Sequence, residues 1–304
     1  MKLKPHVRID AFAITLPRHI SPDPLAIYEA AICVFNKTSS VTGEKEIPTS
    51  RYKASLRIPL RQICKMESIR QVPHVFIELT PRNEAADSPL RIDFKGFPYS
   101  DEEWSEASKI VKQLLSISDN TALSMEDFVV TRFDVAFDVS FDLLDLLFYK
   151  KNTKVTEVSY GIGGRIRCVR LGRSKSKRYV VIYTKDWRPH RDAELAPEGF
   201  TRIEVRTKPR VSVFNLLDEV NIEEINSSLA LYDTDKVKKS GIFKKEMMRL
   251  IKHFGISPAV MSCKTAKRRK LLSFLERYRI PLLTDAEILQ IRKKLNRELK
   301  TLFK

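Results

Sequence analysis

The chain is 304 residues long, 43% hydrophobic and 31% charged, with 9 Gly, which excludes low-complexity disorder and collagen and leaves apolar material for one elaborate domain or two. Its formal charge is +17, from 55 Lys and Arg against 38 Asp and Glu, and so strong a basic excess points to a polyanionic partner, nucleic acid before an anionic membrane face. No apolar run approaches the roughly 20 residues of a membrane span, and the start, Met1 to Val7, lacks the apolar stretch of a secretory signal, so the cytoplasm is the expected compartment.

Val7 to Leu16 alternates as a strand. Ser21, Asp23 and Pro24 then supply capping residues and a first-turn proline for a helix over Leu25 to Phe35. Tyr52 to Ile58, Val75 to Thr80 and Leu90 to Lys95 carry an apolar residue at every second position, the signature of strands. Ser100 and Glu103 form a capping box ahead of Trp104, Ala107, Val111, Leu114 and Leu115, which share one helical face. A strand over Val129 to Val139 follows, then a short apolar helix over Phe141 to Tyr149. Further strands are broken at Gly161 to Gly164 and at Gly172 to Lys177, and a strand over Phe200 to Thr207 closes the body. After Pro209 the texture becomes helical, with candidates at Val213 to Val220, Ser240 to Phe254, Lys264 to Tyr278 and Thr284 to Lys300, the last behind a second capping box of Thr284 and Glu287. The charge divides along the same line. Residues 236–304 hold 20 Lys and Arg against 5 Asp and Glu, a net of +15, which leaves +2 for residues 1–235.

Three strands carry the polar residues of interest. Alternation along 129–139 puts Phe133, Val135, Phe137 and Val139 on one face and Arg132, Asp134, Ala136 and Asp138 on the other. Two carboxylates flanking a small alanine leave room for an ion or a substrate, and their repulsion is offset by a divalent cation or an equivalent positive charge. A solvated outer face of an edge strand has the same pattern, and the segment alone leaves both readings open. Along 200–207, Ile203 and Val205 point inward while Arg202, Glu204 and Arg206 share the opposite face, as a site or as a surface ion-pair row. Along Arg178 to Lys185, Tyr179, Val181, Tyr183 and Lys185 share one face. A phenol has a pKa of about 10 and is a poor nucleophile until a neighbouring group favours its phenolate form.

The turn from Gly172 to Arg178 adds hydroxyls and four cations suited to phosphate oxygens, or to solvent. The five histidines are scattered, without a metalloprotease pair, and no phosphate-binding glycine loop is present. Four cysteines, at 33, 64, 168 and 263, are too far apart for a zinc site or a disulfide framework and read as free thiols.

Taken in order, Thr131-Arg-Phe-Asp-Val-Ala-Phe-Asp138, Gly172 with Ser176, Ile182-Tyr-Thr-Lys185 and Arg202-Ile-Glu204 resemble the motif series of trans-acting rolling-circle replication initiators of small plasmids, together with related filamentous-phage replication proteins and relaxases. Arg8 to Thr15 resembles that family's opening strand and Leu90 to Phe94 its middle hairpin; the resemblance covers Leu90 to Lys208 well and the N-terminal part loosely. It implies an α+β fold, a mostly antiparallel central sheet with packed helices, as a catalytic nicking domain over 1–210, followed by a basic helical DNA-binding domain over 211–304. It implies metal-dependent nicking and joining of origin DNA through a 5′-phosphotyrosine, with Tyr183 as nucleophile and Lys185 beside it. Asp134, Asp138 and Glu204, with Asp93, would serve Mg²⁺ or Mn²⁺, in keeping with hard carboxylate oxygens. Arg132, Arg173, Ser176, Arg178 and Arg202, and Lys267, Arg268, Arg269 and Lys270 in the basic tail, would contact DNA. Arg173 stands one place earlier than the family's arginine. Implied partners are origin DNA, duplex and extruded, a host helicase and a second copy in a homodimer, with no membrane. A conjugative relaxase with the same chemistry and a non-catalytic DNA-binding protein are the alternatives.

Overall fold

The structure, a computed structural model, describes residues 6–17, 19–20, 24–38, 44–45, 49, 51–61, 72–83, 88–97, 99–116, 125–139, 142–143, 146–150, 153, 155–160, 166–185, 200–216, 222–254, 263–280 and 282–303. The chain makes two compact units. One comprises Arg8–Asp134, Lys208–Val220 and Arg292–Lys304, the other Met1–Val7, Val135–Thr207 and Asn221–Ile291. Where the sequence suggested a division into 1–210 and 211–304, the compact units are thus built from alternating stretches of chain.

The first unit holds β1 (His6–Thr15), β2 (Glu44–Lys45), β3 (Tyr52–Pro59), β4 (His74–Pro81), β5 (Leu90–Lys95) and the opening half of β6 (Val129–Val139), in the order β2-β3-β4-β5-β1-β6. The β3–β4, β4–β5 and β5–β1 pairs are antiparallel. Register stacks Ile77, Ile92 and Ile14 in one row and Val75, Phe94 and Phe12 in the next. Phe12 meets Phe94 at 5.2 Å and Phe133 edge-on at 6.1 Å, geometries that favour aromatic pairs. Helix α1 (Pro24–Thr38) buries Ile27, Ala30, Ala31, Val34 and Phe35, a helical stripe, and packs on β3 and β4. Helix α2 (Asp101–Ser116) buries Trp104, Ala107, Ile110, Val111 and Leu114 and packs on α1. The Ser100 capping box forms as the sequence implies: Glu103 N–H donates to Ser100 Oγ at 3.2 Å and Ser100 N–H to Glu103 Oε2 at 2.8 Å. Strand β12 (Val211–Ser212) pairs with the start of β6.

The second unit holds the closing half of β6 and an antiparallel ladder of β11 (Phe200–Thr207), β10 (Arg178–Lys185), β9 (Ile166–Leu171) and β8 (Thr156–Tyr160). A second, three-stranded sheet runs β14 (Arg279–Ile280), β13 (Leu229–Asp233), β7 (Leu146–Lys150). Around it lie α3 (Ile222–Ser228), α4 (Thr234–Lys239), α5 (Lys245–Phe254) and α6 (Thr265–Leu275). Leu147, Ala230, Tyr232, Val237, Met248, Ile251, Leu271 and Leu275 form one core that ties this sheet to α4, α5 and α6. The long helix α7 (Asp285–Phe303) begins at the Thr284 box, where Glu287 accepts from the Thr284 backbone N–H at 2.7 Å.

The architecture is α+β with a mostly antiparallel sheet, as the resemblance implied. Four local expectations are corrected. The helix expected over Phe141 to Tyr149 is, among its described residues, mostly strand β7, because Leu147 and Phe148 are buried in register with Tyr232 and Leu231 of β13. A short apolar run fits either state, and the pairing decides it. The segment after Pro209 is not wholly helical, since β12, β13 and β14 interrupt it. The helix expected from Ser240 starts at Lys245, and that expected over Val213 to Val220 is a 3-10 turn at Val213–Asn215, with 217–220 outside the described residues.

Candidate functional site

Strand alternation and register build the polar face of the second unit. Tyr183 lies opposite Arg202, Val181 opposite Glu204 and Tyr179 opposite Arg206, so the β10 and β11 side chains named from the sequence share one face. Their apolar counterparts, Val180, Ile182, Ile203 and Val205, are buried on the other. On the next strand, Cys168 stands opposite Tyr183. Its thiol pKa is raised, chiefly by burial.

The polar face is not a solvated ion-pair row. Arg202 and Glu204 are 3% and 1% exposed, which decides between the two readings of β11. Arg202 binds Asp138 in a two-pronged pair, Nε to Oδ1 at 2.6 Å and Nη2 to Oδ2 at 2.8 Å, both side chains buried. Such a fork fixes geometry as well as charge. Glu204 is held from two sides. Arg206 donates to Oε2 from Nε at 2.8 Å and from Nη2 at 2.6 Å, and the Tyr183 hydroxyl donates to Oε1. Tyr183 itself is half-buried, as is Lys185 two residues on, whose side chain leaves the strand on the same face.

The turn implicated in phosphate contact joins β9 to β10. Gly172 adopts φ +101°, and a Cβ there would meet Tyr179 Cβ at 3.3 Å, so glycine serves both the backbone conformation and the close approach. Arg173, Ser174, Lys175 and Lys177 are exposed and Ser176 is half-buried. Arg178 pairs with Glu224 at 3.1 Å. The turn is not brought to the tyrosine: Tyr183 lies five residues past Arg178, about 16 Å along an extended strand.

In the first unit the acidic candidates are likewise compensated. Arg132 binds Asp134 Oδ2 through Nε at 2.8 Å and Nη2 at 2.5 Å. Asp93 receives Arg91 at 2.9 Å and Lys95 at 3.1 Å, and Arg91 also reaches Glu78 at 3.1 Å. Burial raises the Glu78 pKa against the pull of Arg91.

These pairs bear on the expected Mg²⁺ or Mn²⁺. Among the described residues no three His, Cys, Asp or Glu side chains converge as a metal-holding group. Each of Asp134, Asp138, Glu204 and Asp93 already faces an arginine or lysine at ion-pair distance. A divalent cation at any of these carboxylates would share it with the guanidinium or ammonium group already there.

Arg202, expected to touch DNA, is buried and paired with Asp138. Arg206, placed on this face by alternation but given no role, and Cys168, not singled out at all, join the site. For Arg206 a signal was present, since positions 202, 204 and 206 share a face; for Cys168 it was not, because the β9–β10 register depends on the turn. In the tail, Lys267, Arg269 and Lys270 are exposed on α6, while Arg268 is half-buried and donates to the Cys263 carbonyl at 3.0 Å.

No family model matches the chain. One hundred of its residues, 32% of its length, are 31% identical to a Staphylococcus aureus protein named replication initiation protein, and the match spans 31% of that relative. The chain thus covers about a third of the length of the curated relative it matches. A solved structure of a rolling circle replication initiator protein from Geobacillus stearothermophilus aligns over 92% of this chain and 100% of its own, at 10% identity and a TM-score of 0.36.

Proposed function

We propose that this chain, similar to replication initiators in its ordered motifs and in a matched segment of 100 residues, initiates rolling-circle replication by nicking and rejoining one strand of origin DNA through Tyr183. The observation that carries the reading is the setting of that phenol. It is half-exposed, and its hydroxyl is anchored on a buried carboxylate beside an arginine. A packing tyrosine on a strand does not require a buried ion pair under its hydroxyl.

Phosphodiester cleavage is very slow without catalysis, and a positioned nucleophile among fixed charges lowers its barrier. Tyr183 attacks phosphorus, leaving a 5′-phosphotyrosine and a free 3′-hydroxyl. The covalent bond conserves the phosphodiester for rejoining. Arg206, Lys185 and the cations of the 172–178 turn supply positive charge along the face on which a DNA strand would lie. The basic segment after residue 236 provides the sequence-independent grip on duplex, and a host helicase and a second copy are the partners this reading entails.

The test is adduct formation on denaturing gels. Single-stranded oligonucleotides tiled over the DNA flanking the reading frame are incubated with the full chain and Mg²⁺ or Mn²⁺. Wild type and Tyr179→Phe are expected to form a covalent adduct, and Tyr183→Phe none. An adduct with Tyr183→Phe removes the nucleophile assignment, and the absence of any wild-type adduct removes the nicking activity in favour of DNA binding alone.

A further inference from the structure

We propose that the second half of helix α7 reads duplex sequence: its outer face, Lys293, Asn296, Arg297, Lys300 and Thr301, enters the major groove of DNA. This rests on the reading of the chain as one that acts on origin DNA, and it assigns the choice of duplex to residues that take no part in nicking.

Helical spacing sets the face. Leu295 and Leu299 are 2% and 5% exposed and fix the inward side of the helix. At 3.6 residues per turn, Lys293, Arg297, Lys300 and Thr301 stand within about 60° of the opposite direction, with Asn296 on the shoulder. All five are exposed, and they line an open hollow of about 300 Å³. From 288 to 303 the one acidic residue is Glu298, which lies on the flank and pairs with Lys294 at 3.8 Å. The outer face therefore carries three cations and no acid, a match for a polyanion.

A grip on phosphates needs charge alone, and here the cations are interleaved with an amide and a hydroxyl. In the major groove an Asn side chain presents a donor and an acceptor that match adenine N6 and N7, and an Arg fork matches guanine O6 and N7. Asn296 and Arg297 are adjacent, so they would address neighbouring base pairs. Lys293, Lys300 and Thr301 suit the phosphate oxygens on either side. The dimensions agree. A helix with its side chains is about 10–12 Å across, and the groove is about 12 Å wide. From 293 to 301 the helix rises about 12 Å, the length of about three to four base pairs. Helix α6 differs in kind, since it exposes Lys267, Arg269 and Lys270 with no Asn or Gln from 264 to 275.

The test begins with the full chain and a pool of duplex oligonucleotides randomised at their centre, from which bound duplexes are recovered and sequenced. Wild type is expected to enrich a short motif. Affinity is then compared on that selected duplex and on a shuffled duplex of the same composition. Arg297→Lys keeps the charge and loses the fork. It should lose about five- to 150-fold of the preference for the selected duplex, with the slope of log K against log salt unchanged. Asn296→Ala should relax the motif at the neighbouring position. Lys293→Ala with Lys300→Ala should weaken both duplexes alike and flatten the slope by about 0.9 for each contact removed. Should Arg297→Lys fail to fold, Asn296→Ala decides alone. The proposal is overturned if wild type binds duplexes without enriching a motif, or if Arg297→Lys and Asn296→Ala keep the wild-type motif and preference. A lysine pair variant with the wild-type slope on both duplexes takes α7 off the DNA and overturns it as well. A wild-type chain that binds no duplex would instead overturn the reading beneath it, so the two failures are separate observations.

Discussion

Asp138 and Arg202 leave water together, and the consequence is felt by whichever one is altered alone. Asp138→Asn retains shape but leaves a buried guanidinium without its counter-charge, a change that costs about 3–5 kcal/mol when one partner of a buried pair is removed. Urea unfolding of the purified chain should show a loss of that size. Replacing both residues, Asp138→Leu with Arg202→Met, should restore most of it, because a well-packed apolar pair avoids the desolvation of two charges. If the single variant unfolds at the wild-type midpoint, the pair is not the buried brace described here. The same pair marks what the sequence could say at this scale. That Asp138, Arg202, Glu204 and Tyr183 occupy one kind of face follows from alternation alone. Which carboxylate each arginine would take does not, since Arg202 reaches across to Asp138 while Arg206 turns to Glu204 on its own strand. That choice depends on register between strands more than 60 residues apart, and no local pattern encodes it.

Helix α2 and strand β7 show why some elements were legible and others not. The helix has every local signal in agreement: a capping box, three acidic residues in its first turn and an apolar stripe at helical spacing. Ser100→Ala should therefore lower stability by about 1 kcal/mol, the usual loss on removing a serine cap, read as a lower thermal midpoint with the fold intact. An unchanged midpoint would mean that tertiary packing of Trp104 on Phe97 and Tyr99, at 5.6 and 5.0 Å, holds the helix start without the cap. Strands β7 and β13, Leu-Leu-Phe-Tyr-Lys and Leu-Ala-Leu-Tyr-Asp, have no clean period of two, and each reads equally as a short buried helix. Each becomes a strand because the other is there to pair with. By contrast β6, β10 and β11 alternate over 8 to 11 residues, and their bounds in the structure match or nearly match those read from the sequence.

Across the whole molecule the basic excess remains gathered from residue 236 on, and α6 carries its share without any acidic residue: Lys267, Arg269 and Lys270 are exposed on it, Lys264 is exposed just before it, and no acidic residue lies from 264 to 275. Deleting this segment would not isolate a DNA grip. Leu271, Leu275, Met248 and Ile251 complete the core around Leu147, Ala230 and Tyr232, and their loss would unfold the unit that carries Tyr183. Point neutralisation is the sound test. Lys267→Ala, Arg269→Ala and Lys270→Ala together should flatten the slope of log K against log salt on duplex DNA by about 0.9 for each phosphate contact removed. An unchanged slope would locate the duplex contact away from α6. The alternation of the two units along the chain also reaches beyond the single molecule. A single crossover between two related genes, anywhere between residues 135 and 291, hands both units a mixture of parental segments. Core partners that had diverged separately would then meet for the first time. Chains built this way should pass between lineages as intact genes or as short matched patches, so new properties would arise by substitution within the frame more readily than by shuffling of parts.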